Sequence, residues 1–142
     1  MVFNRVVIWV DHEEAHLIHF NLDTSEKELK TILLTQPQAH IKLGIIGAGP
    51  GNDHVRFFKD ILHAILGASE ILLVGANEEK HDLMSYIIRH HRAIAEKVVG
   101  VVTADHPSDD QLLRFGFRYF AKIDQMRVDP IASLRENVRC FN

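Results

Sequence analysis

Residues Arg5–Asp11 (RVVIWVD) are apolar at both alternating sets of positions. Side chains on a strand point to opposite faces in turn, so a strand apolar on both faces must be covered on both. This segment therefore belongs at the centre of a sheet sandwiched between other layers. Only His12 and Glu13 separate it from the next strand-like segment, Glu14–Phe20. A connection that short can join only antiparallel neighbours, which places strand two beside strand one. After the polar stretch Asn21–Lys27, Glu28–Leu34 alternates with a polar start, as suits an edge strand.

From Asn52 onward the hydrophobic period changes. Val55, Phe58, Ile61, Leu62 and Ile65 recur at helical spacing behind Asn52 or Asp53 as N-cap, with Gly67 as the stop. Ile71–Gly75 predicts a short buried strand. Asn77 caps a helix carrying Leu83, Tyr86 and Ile87, and Val98–Thr103 is another apolar strand. Ser108 and Gln111 form a capping box for a helix whose Leu112, Phe115, Tyr119, Leu113, Phe117 and Phe120 make a broad buried face. Pro107 and Pro130 punctuate its ends, and Asp129 before Pro130 predicts a short extra helix to about Arg139. Three antiparallel strands followed by alternating helices and strands, joined by right-handed crossovers, give an α/β fold. The expected mixed sheet has the order 3-2-1-4-5, with strand two antiparallel and helices on both faces, an RNase H-like topology. It occupies residues 1–126, and 127–142 form a C-terminal extension.

At 142 residues and 46% hydrophobic content, the chain can bury a core without a disulfide or metal staple. Its single cysteine, Cys140, has no intrachain partner, which fits a reducing compartment and excludes a cysteine-based metal site. The start shows no signal-peptide cleavage site and no segment reaches 18 apolar residues, so the expected location is cytoplasmic with no membrane partner. A net charge of −3 excludes a chain-wide basic footprint, and any nucleic-acid contact must use a local patch. Ten histidines make the surface charge sensitive to pH near 6.5.

In such a sheet, functional groups are expected beyond the C-terminal ends of the parallel strands. Those ends carry Asp11 and His12, Asn77 and Glu78, and Asp105 and His106. Asp11, Glu78 and Asp105 are the carboxylates available to a metal-dependent phosphoester hydrolase, which needs several acids converging on paired metals. Strand four, however, ends in Gly75-Ala76-Asn77 with no acid at its tip. Turn and pre-proline geometry also account for Asp11 and Asp105. His12 and His16 are four apart, but a turn and a strand do not bring them together as a helix would, and His90-His91 are adjacent. No metal site and no cofactor are assigned. Arg114, Arg118 and Lys122 recur every four residues and share one helix face, a spacing that Arg135 and Arg139 repeat. That face is either simply solvated or an RNA-binding patch.

The segment Lys42–Asp53 (KLGIIGAGPGND) has three readings. It looks like the start of a dinucleotide-binding unit, but Asn52 takes the third glycine position and no acid ends Ile71–Gly75. It is otherwise a plain surface loop whose glycines permit turns. As an anion site, Gly49, Gly51 and Asn52 at a helix N-terminus, with His40, Lys42, His54 and Arg56 nearby, would hold an RNA phosphate.

The strings Trp9-Val10-Asp11-His12, Glu14-Ala15-His16, Phe57-Phe58, Glu70–Gly75 (EILLVG), His90-His91, Val98–Val101 (VVGV), Asp105–Asp109 (DHPSD) and Tyr119-Phe120 occur in this order between Val6 and Met126. Together they resemble a bacterial single-domain family of translational machinery proteins. Through it, the chain is similar to the middle domain of archaeal and eukaryotic peptide-chain release factors and of Pelota. The resemblance implies the fold and a ribosomal setting. Release factors carry a Gly-Gly-Gln motif in the corresponding loop, where this chain has Gly51-Asn52. The shorter amide argues against release-type hydrolysis, whereas Pelota-like middle domains bind ribosomes without that glutamine. The implied function is a non-catalytic accessory factor associated with the ribosome or RNA, compatible with self-association. The alternatives are the phosphoester hydrolase and a nucleotide-binding domain.

Overall fold

The computed structural model describes residues 5–24, 26–34 and 50–128, with side chains from residue 55 onward in the first helix. The elements are β1 (Arg5–Val10), β2 (Glu14–Phe20), β3 (Lys27–Leu33), α1 (Pro50–Ala64), β4 (Glu70–Gly75), α2 (Glu79–His90), α3 (Arg92–Ala95), β5 (Val98–Thr103) and α4 (Asp109–Val128). The strands form one sheet in the order β3-β2-β1-β4-β5. β2 runs antiparallel to both β1 and β3, whereas β4 runs parallel to β1 and β5. This is the topology expected from the change in period.

The central position of β1 follows from its two apolar faces. Val6, Ile8 and Val10 join Phe57, Ile61, Leu83 and Ile87 in the layer under α1 and α2. Val7 and Trp9 join Phe20, Leu112 and Phe120 in the layer under α4. Burying each such side chain contributes about 1.5–3 kcal/mol, so a double-faced strand anchors both layers. Gly116 lets α4 press onto β1, because a Cβ there would lie 3.0 Å from the Val7 Cβ. Both members of the capping box at the start of α4 are formed. The Ser108 N–H donates to Gln111 Oε1 at 3.0 Å, and the Gln111 N–H donates to Ser108 Oγ at 3.2 Å.

Several local expectations are corrected. α1 begins at Pro50, so Asn52 and Asp53 lie inside its first turn rather than capping it; proline's fixed φ suits the first helical position. Gly67 has no left-handed φ, and the helix instead yields to a turn in which the Ile65 and Ala68 N–H groups donate to the Leu62 and Ile65 carbonyls. α2 is capped by Glu78 rather than Asn77, without a side-chain cap bond. The Asn77 carbonyl instead accepts a 2.6 Å bond from Lys80 Nζ, whose side chain is buried. The first strand ends at Val10, so Asp11 joins the hairpin turn. Phe117 is 41% exposed rather than buried, because α4 packs through Leu112, Gly116 and Phe120. The short α3 was not anticipated. The loop expected to bind anions through His40, Lys42 and Gly49, and the helix expected over Asp129–Arg139, lie outside the described residues. No helix among the described residues is long and apolar enough to cross a membrane.

Candidate functional site

The strand-end carboxylates are not assembled into one ligand group among the described residues. Asp11 Oδ1 accepts the N–H groups of Glu13 and Glu14, both at 2.8 Å, so this carboxylate closes the hairpin. Glu78 is exposed at the N-cap of α2, and Asp105 is exposed in the loop after β5. Of the glycine-rich loop, Gly51, Asn52 and His54 fall within α1, and Arg56 beyond them is exposed.

The basic residues of α4 do share one face. Arg114, Arg118 and Lys122 are all exposed, and none has an ion-pair partner among the described residues. Arg114 and Arg118 border a groove of about 540 Å³, floored by Phe20, Leu113 and Phe117 and closed by Lys27 at the start of β3. The Phe117 ring stacks on Phe20 with centroids 6.3 Å apart and planes inclined at 28°. An exposed aromatic ring between two arginines offers a base a stacking surface and its phosphate a counter-charge. The helical spacing announced the arginines, whereas the aromatic was assigned to the core because both sets of positions looked apolar.

A second cluster was not foreseen. Glu14 and His16 are two apart on β2 and so share one sheet face. His16 is the cross-strand partner of Trp9 on β1. After β5 the chain crosses to seat α4 on β1 and β2, and this crossing lays the His106 ring on Trp9 with centroids 4.1 Å apart. His16 Nε2 is 3.4 Å from Glu14 Oε2, and His106 Nε2 is 3.6 Å from Glu14 Oε1. His16 Nδ1 lies 3.3 Å from Asp109 Oδ1 at the start of α4, and His106 Nδ1 lies 3.1 Å from the Pro107 carbonyl oxygen. His12, by contrast, is exposed beside Glu13. The sequence signal was Glu14-x-His16 at strand spacing, together with His106 at the end of another strand. Only the crossover connects the two.

No protein-family model matches the chain, and no curated protein sequence matches it. Among solved structures, Pelota of Thermoplasma acidophilum matches with a TM-score of 0.54 at 14% identity, over 80% of this chain and 32% of that one. Pelota of Archaeoglobus fulgidus matches with a TM-score of 0.57 at 10% identity, over 98% and 40%. The archaeal translation termination factor aRF1 matches with a TM-score of 0.55 at 9% identity, over 92% and 41%. The chain thus spans between a third and two-fifths of these structures, and the likeness is one of fold.

Proposed function

We propose that this chain is an accessory factor that binds RNA in a ribosomal setting through the α4 face formed by Arg114, Arg118 and Lys122. The observation that carries this reading is Phe117, exposed between Arg114 and Arg118 in the sequence at a groove where neither arginine has an ion-pair partner among the described residues. A cluster of exposed cations attracts a polyanion, and an aromatic among them lets single-stranded bases stack without sequence selection. The folds of Pelota and aRF1 support the translational setting. A net charge of −3 requires such a contact to use a local basic patch of this kind.

Binding to a single-stranded RNA and co-sedimentation with ribosomes, both measured against salt, test the proposal. Replacing Arg114, Arg118 and Lys122 together by glutamine is expected to lower the slope of log K against log salt by about 2, at roughly 0.7 per lost contact. Binding that is absent at low salt, or indifferent to the triple change, would overturn it.

A further inference from the structure

We propose that Glu14, His16 and His106 hold a divalent metal ion of the zinc class through the Glu14 carboxylate and the Nε2 atoms of both histidines, with one coordination position open to solvent. This site is separate from the basic face of α4 and does not depend on the RNA-binding proposal.

Proton placement carries the inference. The Pro107 carbonyl can only accept, so at 3.1 Å it fixes the proton of His106 on Nδ1. The neutral ring then directs a bare lone pair from Nε2 towards Glu14 Oε1. Asp109 places a second acceptor 3.3 Å from His16 Nδ1. His16 Nε2, in turn, is buried with no hydrogen bond although it lies 3.4 Å from Glu14 Oε2. With its proton held on Nδ1 towards Asp109, His16 turns the Nε2 lone pair to the same point, so two ring nitrogens and a carboxylate converge with ligand atoms all within 4.8 Å of one another. Lone pairs facing one another repel unless a cation lies between them.

The spacing leaves room for a metal ion. An imidazolium N–H bonded to a carboxylate closes to about 2.7–2.9 Å. Ligands about 2.0–2.1 Å from a tetrahedral ion lie about 3.3 Å from one another, and His16 Nε2 and His106 Nε2 stand 3.4 and 3.6 Å from the Oε2 and Oε1 oxygens, respectively, of the same Glu14 carboxylate. An oxygen acceptor behind each Nδ1 is also the arrangement that orients a metal-bound histidine. Two imidazoles and a carboxylate without thiolate suit zinc and neighbouring divalent ions. The His106 side chain is 54% exposed, so the position beside it faces water. Three protein ligands and an open fourth position describe a site that exchanges a small ligand rather than a closed structural one.

The test uses the full chain dialysed against chelator and titrated with Zn²⁺ by calorimetry and with Co²⁺ by absorbance and fluorescence. One equivalent of either ion is expected to bind. Co²⁺ should show the strong visible bands of four-coordination and quench Trp9, the chain's single tryptophan, which packs on His106. His16→Ala and His106→Ala should weaken binding by roughly 100-fold or more, and Asp109→Asn by about 10- to 100-fold, the range for outer-shell partners. His81→Ala, a change at an exposed residue of α2, should bind as wild type. Zn²⁺ should raise the melting temperature of the wild type but not of His106→Ala, whose exposed side chain leaves the fold intact without metal. Absence of one-equivalent binding in the wild type would overturn the site. Binding that survives both His106→Ala and Glu14→Gln would overturn it too, assigning the metal to other histidines.

Discussion

Two sets of charges on α4 meet opposite fates. Near its C-terminal end, Asp124 accepts a 2.6 Å bond from Arg5 Nη2, and Arg127 pairs with Glu70 at 2.5 Å. Arg5 Nε also donates to Glu70 at 3.0 Å, closing a network that ties the helix to the starts of β1 and β4. On the preceding turns, Arg114, Arg118 and Lys122 have no such partner among the described residues. Helical spacing is alike in both regions. What differs is whether an oppositely charged strand residue lies beneath, so the first set serves the fold and the second remains available to a partner.

The sharpest way to break this contrast is to unseat the helix. Phe120 is fully buried against Phe20, and Phe120→Ala should cost about 3–5 kcal/mol in chemical denaturation while weakening RNA binding as well. Arg5→Met removes both hydrogen bonds of the network and should cost roughly 2 kcal/mol, with RNA affinity unchanged in the variant while it is folded. An effect of Arg5→Met on binding would show that the two sets are not separate.

Smaller effects sharpen the comparison further. His19 on β2 is a polar group serving the fold, its Nε2 3.0 Å from the Ala64 carbonyl at the end of α1. Burial lowers its pKa below the ordinary 6.5. The unfolded chain therefore takes up this proton at a higher pH than the folded one. Stability should fall as pH drops below 6.5 towards the folded pKa, by at most about 1.4 kcal/mol per pH unit from this group. His19→Gln should flatten that part of a melting-versus-pH profile, and an unchanged slope would rule out the contribution. The glutamine triple variant should barely move the melting temperature, since its side chains are exposed. Phe117→Ala, which loses the stacking on Phe20, should cost about 0.5–1.5 kcal/mol of stability while binding single-stranded RNA roughly 10-fold more weakly, the loss of one stacked base.

Much of the fold was legible because periodicity reports burial directly. The apolar run of Arg5–Asp11 announced a central strand, and the short connection to Glu14 announced an antiparallel neighbour. Helix starts were less legible at Asn52 and Asn77, where cap-forming residues are present but the backbone begins at Pro50 and Glu79 instead. A cap residue states only a local preference, which packing of the whole helix overrides by a residue or two. The candidate sites divide in the same way. The basic face was visible at a spacing of four, whereas the exposure of Phe117 depended on which stripe of α4 met the sheet.

The sequence by itself determined the order and type of most elements, the antiparallel hairpin, the central place of β1 and the alignment of Arg114, Arg118 and Lys122, because each depends on residues close together in the chain. Tertiary structure alone decided that Arg5 and Glu70 neutralise one end of α4 and that His106 meets Glu14 and His16. The Arg5, Glu70 and His106 contacts join residues far apart in sequence, and no local period encodes them. They exist because the connection after β5 carries α4 across the sheet to β1 and β2, where Gly116 admits it against Val7.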